Sequence, residues 1–204
     1  MHLIPTQDET VALLRETGAL RDGHFEYPNG LHSNEYLQVP LAMRHSQHQR
    51  LLSVGLSRQL RANPEIRAII PELSVVVPAT AGLPVAFGIC EALRAKQVYW
   101  AEQMRNGEPM RFRQYIKPEP GEQVVIVDDI LRTGKKLREL KCMLESEGAM
   151  VIGLAVIIYQ PTPSTENFGN LPLYYLAKLE ASYYADSAHC ELCKAGQPFE
   201  KVWV

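Results

Sequence analysis

The stretch that most constrains the fold is a run of four apolar residues, 124–127, followed by two adjacent acids, Asp128 and Asp129. Four consecutive β-forming residues show no polar alternation, which indicates a strand covered on both faces, as in a parallel sheet. We predict that this strand ends at Val127 and that the acids lie at its carboxyl end. Ligands of open α/β sheets bind at that edge, where the next turn offers backbone N–H groups to an anion such as phosphate.

The chemistry of this segment divides between the acids and the turn that follows them. Carboxylates accept hydrogen bonds, so Asp128 and Asp129 suit sugar hydroxyls, a magnesium-bound water or a developing cation. The turn at Thr133 and Gly134 suits the anion. The alternative is an ordinary strand-to-helix turn with a solvated acid pair.

Composition narrows the class of protein. The chain has 204 residues, 46% of them hydrophobic, which fits one globular domain. With 21 basic and 23 acidic residues it lacks the basic excess of nucleic-acid-binding proteins, so we expect a charged small molecule as partner. The longest apolar run, 151–158, is shorter than a membrane span, and the N-terminus lacks signal-peptide features. We predict a cytoplasmic protein that binds neither nucleic acid nor membrane.

Hydrophobic periodicity predicts an α/β protein with one central parallel sheet and helices on both faces. A polar stretch, 102–120, is predicted to be a loop or exposed hairpin, and the chain is predicted to end in a polar tail. Pro64 is expected to interrupt the second helix. The predicted helices are 7–17, 47–61, 83–94 and 135–148; the strands are 75–77, 97–101, 124–127, 151–158 and 173–179; and a hairpin spans 23–38.

The four cysteines do not form a disulfide framework. Cys90 and Cys142 fall in helical patterns and are expected to be reduced core residues. Cys190 and Cys193 have metal-ligand spacing, but a structural zinc site needs four ligands and the sequence has no second cysteine pair. Three interpretations stay open for this pair: a packing or surface role, a zinc or redox role within the chain, or a zinc site shared across a dimer.

Residues 124–136 resemble the phosphoribosyl pyrophosphate motif of type I phosphoribosyltransferases, which runs four apolar residues, two acids, two aliphatics and a Thr-Thr-Gly-x-Ser-like loop. Arg132 stands where the first threonine is usual. Three further segments resemble orotate phosphoribosyltransferases: the hairpin, with Gly23, Phe25, Gly30, Ser33 and Tyr36 in agreement; the loop Pro78 to Gly82; and the polar stretch from Glu102 to Arg113. The resemblance implies a single domain over 1–204, in which 18–45 form part of a base-covering hood.

The resemblance also implies an activity, namely magnesium-dependent transfer of ribose 5-phosphate from phosphoribosyl pyrophosphate to orotate, giving orotidine 5-phosphate and pyrophosphate. It implies a homodimer, and magnesium held mainly through water and ligand rather than by named protein residues. The implied catalytic residues are Asp128, Asp129 and Arg105. The implied donor-binding residues are Asp128, Asp129, Ile130, Leu131, Arg132, Thr133, Gly134, Lys135, Lys136, Thr80, Ala81 and Gly82. The implied base-binding residues are Phe25, Tyr36 and Leu37.

Two departures from the family pattern leave other functions open. The loop has no lysine between Glu102 and Lys117, although Arg105, Arg111 and Arg113 could substitute; this favours a regulator that binds the donor without turnover. The family's orotate-binding arginine is replaced by Gln160, which favours a transferase for another base. Arg44 and Lys135 are the candidates to replace that arginine.

Overall fold

The computed structural model describes residues 4–104, 108–113 and 116–202. Its helices and strands follow a mainly alternating order along the chain. They are α1 Gln7–Glu16, β1 Leu20–Glu26, β2 His32–Leu37, α2 Pro40–Met43, α3 Ser46–Ala62, α4 Pro64–Ile69, β3 Ser74–Pro78, α5 Leu83–Leu93, β4 Gln97–Glu102, β5 Arg111–Phe112, β6 Gln123–Leu131, α6 Lys135–Ser146, β7 Met150–Tyr159, β8 Leu173–Lys178, β9 Tyr183–Tyr184, α7 Glu191–Lys194 and β10 Glu200–Lys201.

The main sheet has six strands in the order β5-β4-β3-β6-β7-β8. Its strands pair in parallel, except for the two-residue edge strand β5, which runs antiparallel to β4. Helices cover both faces, so the apolar run of β6 is buried on each side. Val125 and Val127 pack with α1, α3 and α5, whereas Val124 and Ile126 pack with α6. The predicted α/β class, with a parallel sheet and helices on both faces, is confirmed.

The prediction that the motif strand ends at Val127 is wrong. β6 continues to Leu131, and its partner β7 supplies a matching ladder in which Asp128 pairs with Val156 and Leu131 with Tyr159. Backbone pairing does not depend on side-chain polarity, so a long neighbouring strand carries β6 through the two acids. They therefore lie within the last half of the strand.

Pro64 begins a helix as well as ending one. Asn63 caps α4, and its side chain accepts hydrogen bonds from the backbone N–H groups of Glu65 and Ile66. Pro64 occupies the first helical position, where a backbone N–H would have no partner in the helix. The break predicted at this residue is thus the junction of α3 and α4. Within the described residues, no helix combines the length and apolarity needed to cross a bilayer.

A second sheet, with the strand order β10-β1-β2-β9, joins the hairpin to the end of the chain. We call this four-stranded sheet the hood. β9 pairs antiparallel with β2, and β10 pairs in parallel with β1. Its small core contains Phe25, Tyr27, Tyr36 and Val202. The segment predicted to be a polar tail is therefore a structural part of the hood.

Candidate active site

A cavity of about 670 Å³ lies between the hood and the carboxyl-terminal edge of the main sheet. The hood side supplies the turn at Tyr27 to Asn29, Leu31, and the end of β2 at Leu37 and Gln38. The sheet side supplies the loop from Pro78 to Ala81 and the end of β6 with its following turn. Those residues lie at or just after the carboxyl ends of the parallel strands β3 and β6, which explains why they converge on one edge of the sheet.

The acid pair forms the polar centre of this cavity. Asp129 is 7% exposed and Asp128 is half-buried, and both line the cavity. Burial, followed by the neighbouring charge of Asp129, raises the pKa of Asp128 well above its ordinary value, and burial also raises the pKa of Asp129. Two carboxylates this close resist simultaneous ionisation unless a cationic or hydrogen-bonding ligand compensates. The pair is therefore suited to a ligand with hydroxyl groups or developing positive charge.

The turn after β6 places a helix N-terminus at the same cavity. Gly134 adopts φ +75° and precedes α6, and an added Cβ would lie 3.1 Å from the side chains of Leu131 and Phe168. Thr133 and Lys136 line the cavity on either side of it. The first N–H groups of a helix have no acceptor within the helix, so this turn can hold an anion, and Lys136 adds positive charge.

The loop after β3 closes the opposite side. Thr80 and Ala81 line the cavity, and Gly82 packs directly behind the acid pair. A Cβ at Gly82 would lie 2.6 Å from Asp128 Oδ1 and 3.2 Å from its Cα. Only glycine permits this approach, which fixes the distance between the loop and the acids.

Arg132 spans the gap between the motif turn and the hood. Its Nε donates to Gln160 Oε1 at 2.9 Å, and its Nη2 donates to the Leu37 carbonyl at 3.4 Å. Its guanidinium carbon lies 5.7 Å and 5.9 Å from the ring centroids of Tyr27 and Tyr183. These contacts orient a planar cation along the cavity wall.

Comparisons with known proteins agree with this geometry. The family model described as "Phosphoribosyl transferase domain" matches residues 57–167. The chain belongs to the type I phosphoribosyltransferase family. An orotate phosphoribosyltransferase from Pelotomaculum thermopropionicum is 30% identical, with 96% of each chain covered, and one from Carboxydothermus hydrogenoformans is 32% identical, with 93% of each covered.

The fold of this phosphoribosyltransferase is also similar to that of solved structures. The crystal structure of orotate phosphoribosyltransferase from Aeropyrum pernix has a TM-score of 0.65 at 22% identity, covering 82% of this chain and 92% of its own. Adenine phosphoribosyltransferase from Thermoanaerobacter pseudethanolicus has a TM-score of 0.59 at 14% identity, covering 71% and 88%. At these identities the comparison establishes the shared architecture and does not distinguish one base from another.

The structure brings most of the expected donor-site residues of this phosphoribosyltransferase to the cavity. Those that line it are Thr80, Ala81, Asp128, Asp129, Ile130, Arg132, Thr133 and Lys136, together with the expected base contact Leu37. Gly82, Leu131, Gly134 and Lys135 do not line it; Gly82 and Gly134 shape the backbone next to it, and Leu131 is buried in the core. Arg105 lies outside the described residues.

Two expected base-binding residues are placed elsewhere. Phe25 and Tyr36 are only 3% and 8% exposed and pack in the hood core, where the guanidinium of Arg21 lies over both rings. The expectation that they contact the base is corrected, because the side of the hood that faces the cavity is built by Tyr27, Leu31 and Leu37. The Tyr27-Pro28-Asn29 turn was visible in the sequence only as a turn.

The candidate replacements for the family's orotate-binding arginine are also placed away from the cavity lining. Arg44 is exposed and donates to His45, and Lys135 is exposed at the start of α6. The cationic side chain beside Gln160 is Arg132 instead. Sequence reasoning had assigned Arg132 to the donor site because of its place in the motif.

The described part of the polar stretch includes the short strand β5, and it contacts α6 through Glu139. Arg113 forms an ion pair with Glu102, and Glu139 accepts hydrogen bonds from the Met110 backbone N–H and from Gln103. Arg111 and Arg113 are exposed, and neither lines the cavity of this chain. The expected loop or exposed hairpin is present as the antiparallel pair β4–β5.

Proposed function

We propose that this phosphoribosyltransferase transfers ribose 5-phosphate from phosphoribosyl pyrophosphate to orotate. Two observations support it: relatives at 30–32% identity carry the name orotate phosphoribosyltransferase, and one cavity contains an acid pair, an anion-binding turn and an oriented arginine. The choice of orotate as the base depends on the position of Arg132 at the cavity, because orotate is a planar ring with a carboxylate.

The geometry suggests a role for each wall of the cavity. The ribose hydroxyls bind Asp128 and Asp129, the 5-phosphate binds the turn at Thr133 with Lys136, and the pyrophosphate lies against the backbone of Thr80 and Ala81. The bond between C1 and pyrophosphate weakens before the ring nitrogen of the base completes the new bond to C1. Positive charge then develops on the sugar, and the fixed carboxylates stabilise it.

Magnesium is expected from the family resemblance, and the donor set fits it. The carboxylate oxygens of Asp128 and Asp129 at the cavity are the hard ligands that this cation prefers, directly or through water. When bound with the donor it would offset negative charge on the leaving pyrophosphate. A cation at this point would also favour ionisation of the acid pair, opposing the rise in pKa that burial causes.

Orotate recognition is assigned to Arg132. A guanidinium can bind a carboxylate through two parallel hydrogen bonds, a geometry that lysine cannot reproduce. Gln160 is 1% exposed, and its Oε1 accepts hydrogen bonds from Arg132 Nε and from Tyr183 OH at 2.8 Å, while its Nε2 donates to Glu35 at 3.2 Å. This network orients Arg132. Gln160 therefore supports the cation at the position where other family members place one.

The oligomeric state and location remain proposals. We propose a homodimer in which the polar stretch of one chain covers the cavity of its partner, since the two described arginines of that stretch do not line the cavity of their own chain. Cytoplasmic location remains a prediction from sequence composition. The dimer is tested by sedimentation equilibrium and by mixing a loop-defective chain with an acid-pair-defective chain, which should recover activity.

The proposal is tested by incubating the protein with the donor, magnesium and one base at a time, and by measuring pyrophosphate release. The bases are orotate, uracil, adenine and hypoxanthine. We expect release with orotate alone. Release with another base would replace the proposed acceptor, and donor binding without release for any base would favour a regulator.

Arg132→Met tests the basis of selectivity. Losing a hydrogen-bonded charge pair, worth roughly 1.5–3 kcal/mol, should raise the KM for orotate about 10-fold to 100-fold, with a much smaller change in the KM for the donor. Arg44→Met and Lys135→Met are matched controls that remove the same charge from exposed positions, and both should leave the KM for orotate unchanged. A large rise in the control variants instead would refute the assignment of Arg132.

A further inference from the structure

Four metal-binding side chains meet inside the hood, away from the active-site cavity. They are His24 on β1, His32 on β2, and Cys190 and Cys193 from the segment around α7. One ligand atom from each residue lies within 4.8 Å of all the others. We propose that these residues form a structural zinc site that fastens the end of the chain to the hairpin.

The distances fit a tetrahedral ion. Zinc bonds of about 2.0–2.1 Å to nitrogen and 2.3 Å to sulfur require nitrogen–sulfur edges of roughly 3.5 Å. The observed separations are 3.4 Å between Cys190 Sγ and His24 Nε2, 3.6 Å between Cys193 Sγ and His24 Nε2, and 3.5 Å between Cys193 Sγ and His32 Nδ1. The two imidazole nitrogens are 2.8 Å apart, so zinc binding would increase the distance between them by roughly half an ångström.

The surroundings prepare His24 to act as a ligand. Its Nδ1 lies 2.8 Å from the Gln197 carbonyl, which can only accept a hydrogen bond, so Nδ1 carries the proton and Nε2 presents a lone pair to the cluster. This outer hydrogen bond is typical of metal-bound histidines. The ring of Phe199 packs edge-on against both imidazoles, with centroids 5.5 Å and 5.1 Å away, and shields them from water.

Burial and charge favour zinc over harder cations. His24, His32 and Cys190 are 3%, 2% and 0% exposed, and Cys193 is half-buried. Two thiolates balance the two positive charges of the ion, so the complex adds no net charge to the hood interior. Thiolate and imidazole ligands select zinc, whereas magnesium and calcium prefer oxygen. The site is therefore chemically distinct from the magnesium expected in the active-site cavity.

The position of the cluster indicates what the ion stabilises. His24 and His32 lie on paired strands eight residues apart, while the cysteines come more than 150 residues later. β10 contributes two residues to the hood and β9 contributes two, so few backbone hydrogen bonds connect the end of the chain to the hairpin. A metal that joins these distant segments removes much of the conformational freedom of the unfolded chain and stabilises the hood.

Zinc content, measured by mass spectrometry on full-length protein purified in zinc-containing buffer without chelator, tests the proposal. We expect about one zinc per chain, and replacement by cobalt should give the absorption of a tetrahedral cobalt–thiolate centre. Cys193→Ser, at the half-buried ligand, should lose most of the zinc and lower Tm. Cys142→Ser and His189→Gln are matched controls at exposed positions, and both should retain zinc.

Three outcomes would overturn the proposal: wild-type protein that binds neither zinc nor cobalt, a Cys193→Ser variant with unchanged zinc, or thiol titration showing Cys190 and Cys193 joined as a disulfide. The first would leave His24 and His32 as a hydrogen-bonded pair. If Cys193→Ser fails to fold, His32→Cys provides a second test, because a three-cysteine site should still bind zinc and cobalt. These measurements do not depend on transferase activity, so their failure would leave the proposed reaction standing.

Discussion

Replacing Asp128 by asparagine should stabilise the protein while lowering its turnover at least about 100-fold. Burial, together with the charge of Asp129, raises the pKa of Asp128 well above its ordinary value of 3.8, so the folded protein disfavours the ionised form. Asparagine keeps an oxygen that can accept the hydrogen bond now made by the Asp129 backbone N–H at 2.9 Å. The substitution therefore removes only the negative charge. Burial disfavours that charge in the folded protein, whereas the proposed reaction requires it.

The sign and size of the effect follow from proton linkage. A carboxylic acid whose pKa is raised by folding stabilises the fold when protonated, and that contribution is lost as pH rises from 3.8 through the raised pKa. At higher pH, each tenfold weakening of the acidity of Asp128 on folding destabilises the wild type by about 1.4 kcal/mol. Since 1 kcal/mol shifts Tm by roughly 2–4 °C for a chain of this length, the variant should melt several degrees higher at pH 8.

Differential scanning calorimetry at pH 5 and pH 8 measures the stability change, and pyrophosphate release measures activity. The gain in Tm should be larger at pH 8 than at pH 5, and turnover should fall at least about 100-fold, as when other preorganised electrostatic groups are removed. Asp129→Asn should stabilise less, because the hydrogen bonds it accepts and Arg132 partly offset the effect of burial on the Asp129 pKa.

The exposed Asp8→Asn is the control for the same change of side chain and should shift stability by no more than about 0.5 kcal/mol. An Asp128→Asn variant that melts below wild type at pH 8 would refute the electrostatic reasoning. Retained turnover would refute the catalytic role.

Two further predictions concern packing and a buried acid. Gly82→Ala places a Cβ 2.6 Å from Asp128 Oδ1, so it should cost about 1–3 kcal/mol and weaken donor binding; Gly153→Ala, whose nearest contact would be 3.4 Å, should change neither Tm nor donor affinity appreciably. Burial alone would raise the pKa of Glu122, but hydrogen bonds led by Ser74 lower it overall. This stabilisation is present above the ordinary carboxyl pKa of 4.5 and is lost as pH falls through the lowered value. Glu122→Gln should therefore reduce the free energy of unfolding by about 1–3 kcal/mol at pH 7 and by less near pH 4, which thermal melts at the two pH values measure.

The main sheet was predictable because three of its interior strands, β3, β6 and β7, each have a clear apolar pattern. Residues 75–77, 124–127 and 151–158 are apolar without alternation, and both faces of each strand are covered by helices. Boundaries were less predictable because they depend on partners. β6 extends past its apolar run since β7 continues beside it, and the short hood strands β9 and β10 have no periodic pattern of their own.

The place of the acid pair and its turn at the cavity was predictable from a contiguous motif, whereas the surroundings of Arg132 were not. Leu131 pairs with Tyr159 across β6 and β7, so the next residues, Arg132 and Gln160, emerge side by side. The family resemblance leads us to expect an arginine near position 160, where the chain has glutamine, and the sequence alone does not show which residue lies beside it. The register of the parallel sheet therefore decides that the cation beside Gln160 is Arg132, which follows the end of the neighbouring strand.

The four side chains of the proposed zinc site come from segments that are distant in sequence, so the fold alone brings them together. The sequence has no second cysteine pair to join Cys190 and Cys193, but two histidines from the two strands of a hairpin complete a four-ligand set equally well. His24 and His32 flank the turn at Tyr27 to Leu31, and their ring nitrogens Nε2 and Nδ1 lie 2.8 Å apart in the hood. The cysteines reach them because β10 adds to β1 in parallel, a pairing of two residues that no local pattern encodes. If the ion is what holds that short pairing in place, then removing it should release β10 before it disturbs the main sheet, and hydrogen exchange in Cys193→Ser should rise first at residues 198–202 and at the outer edge of β1.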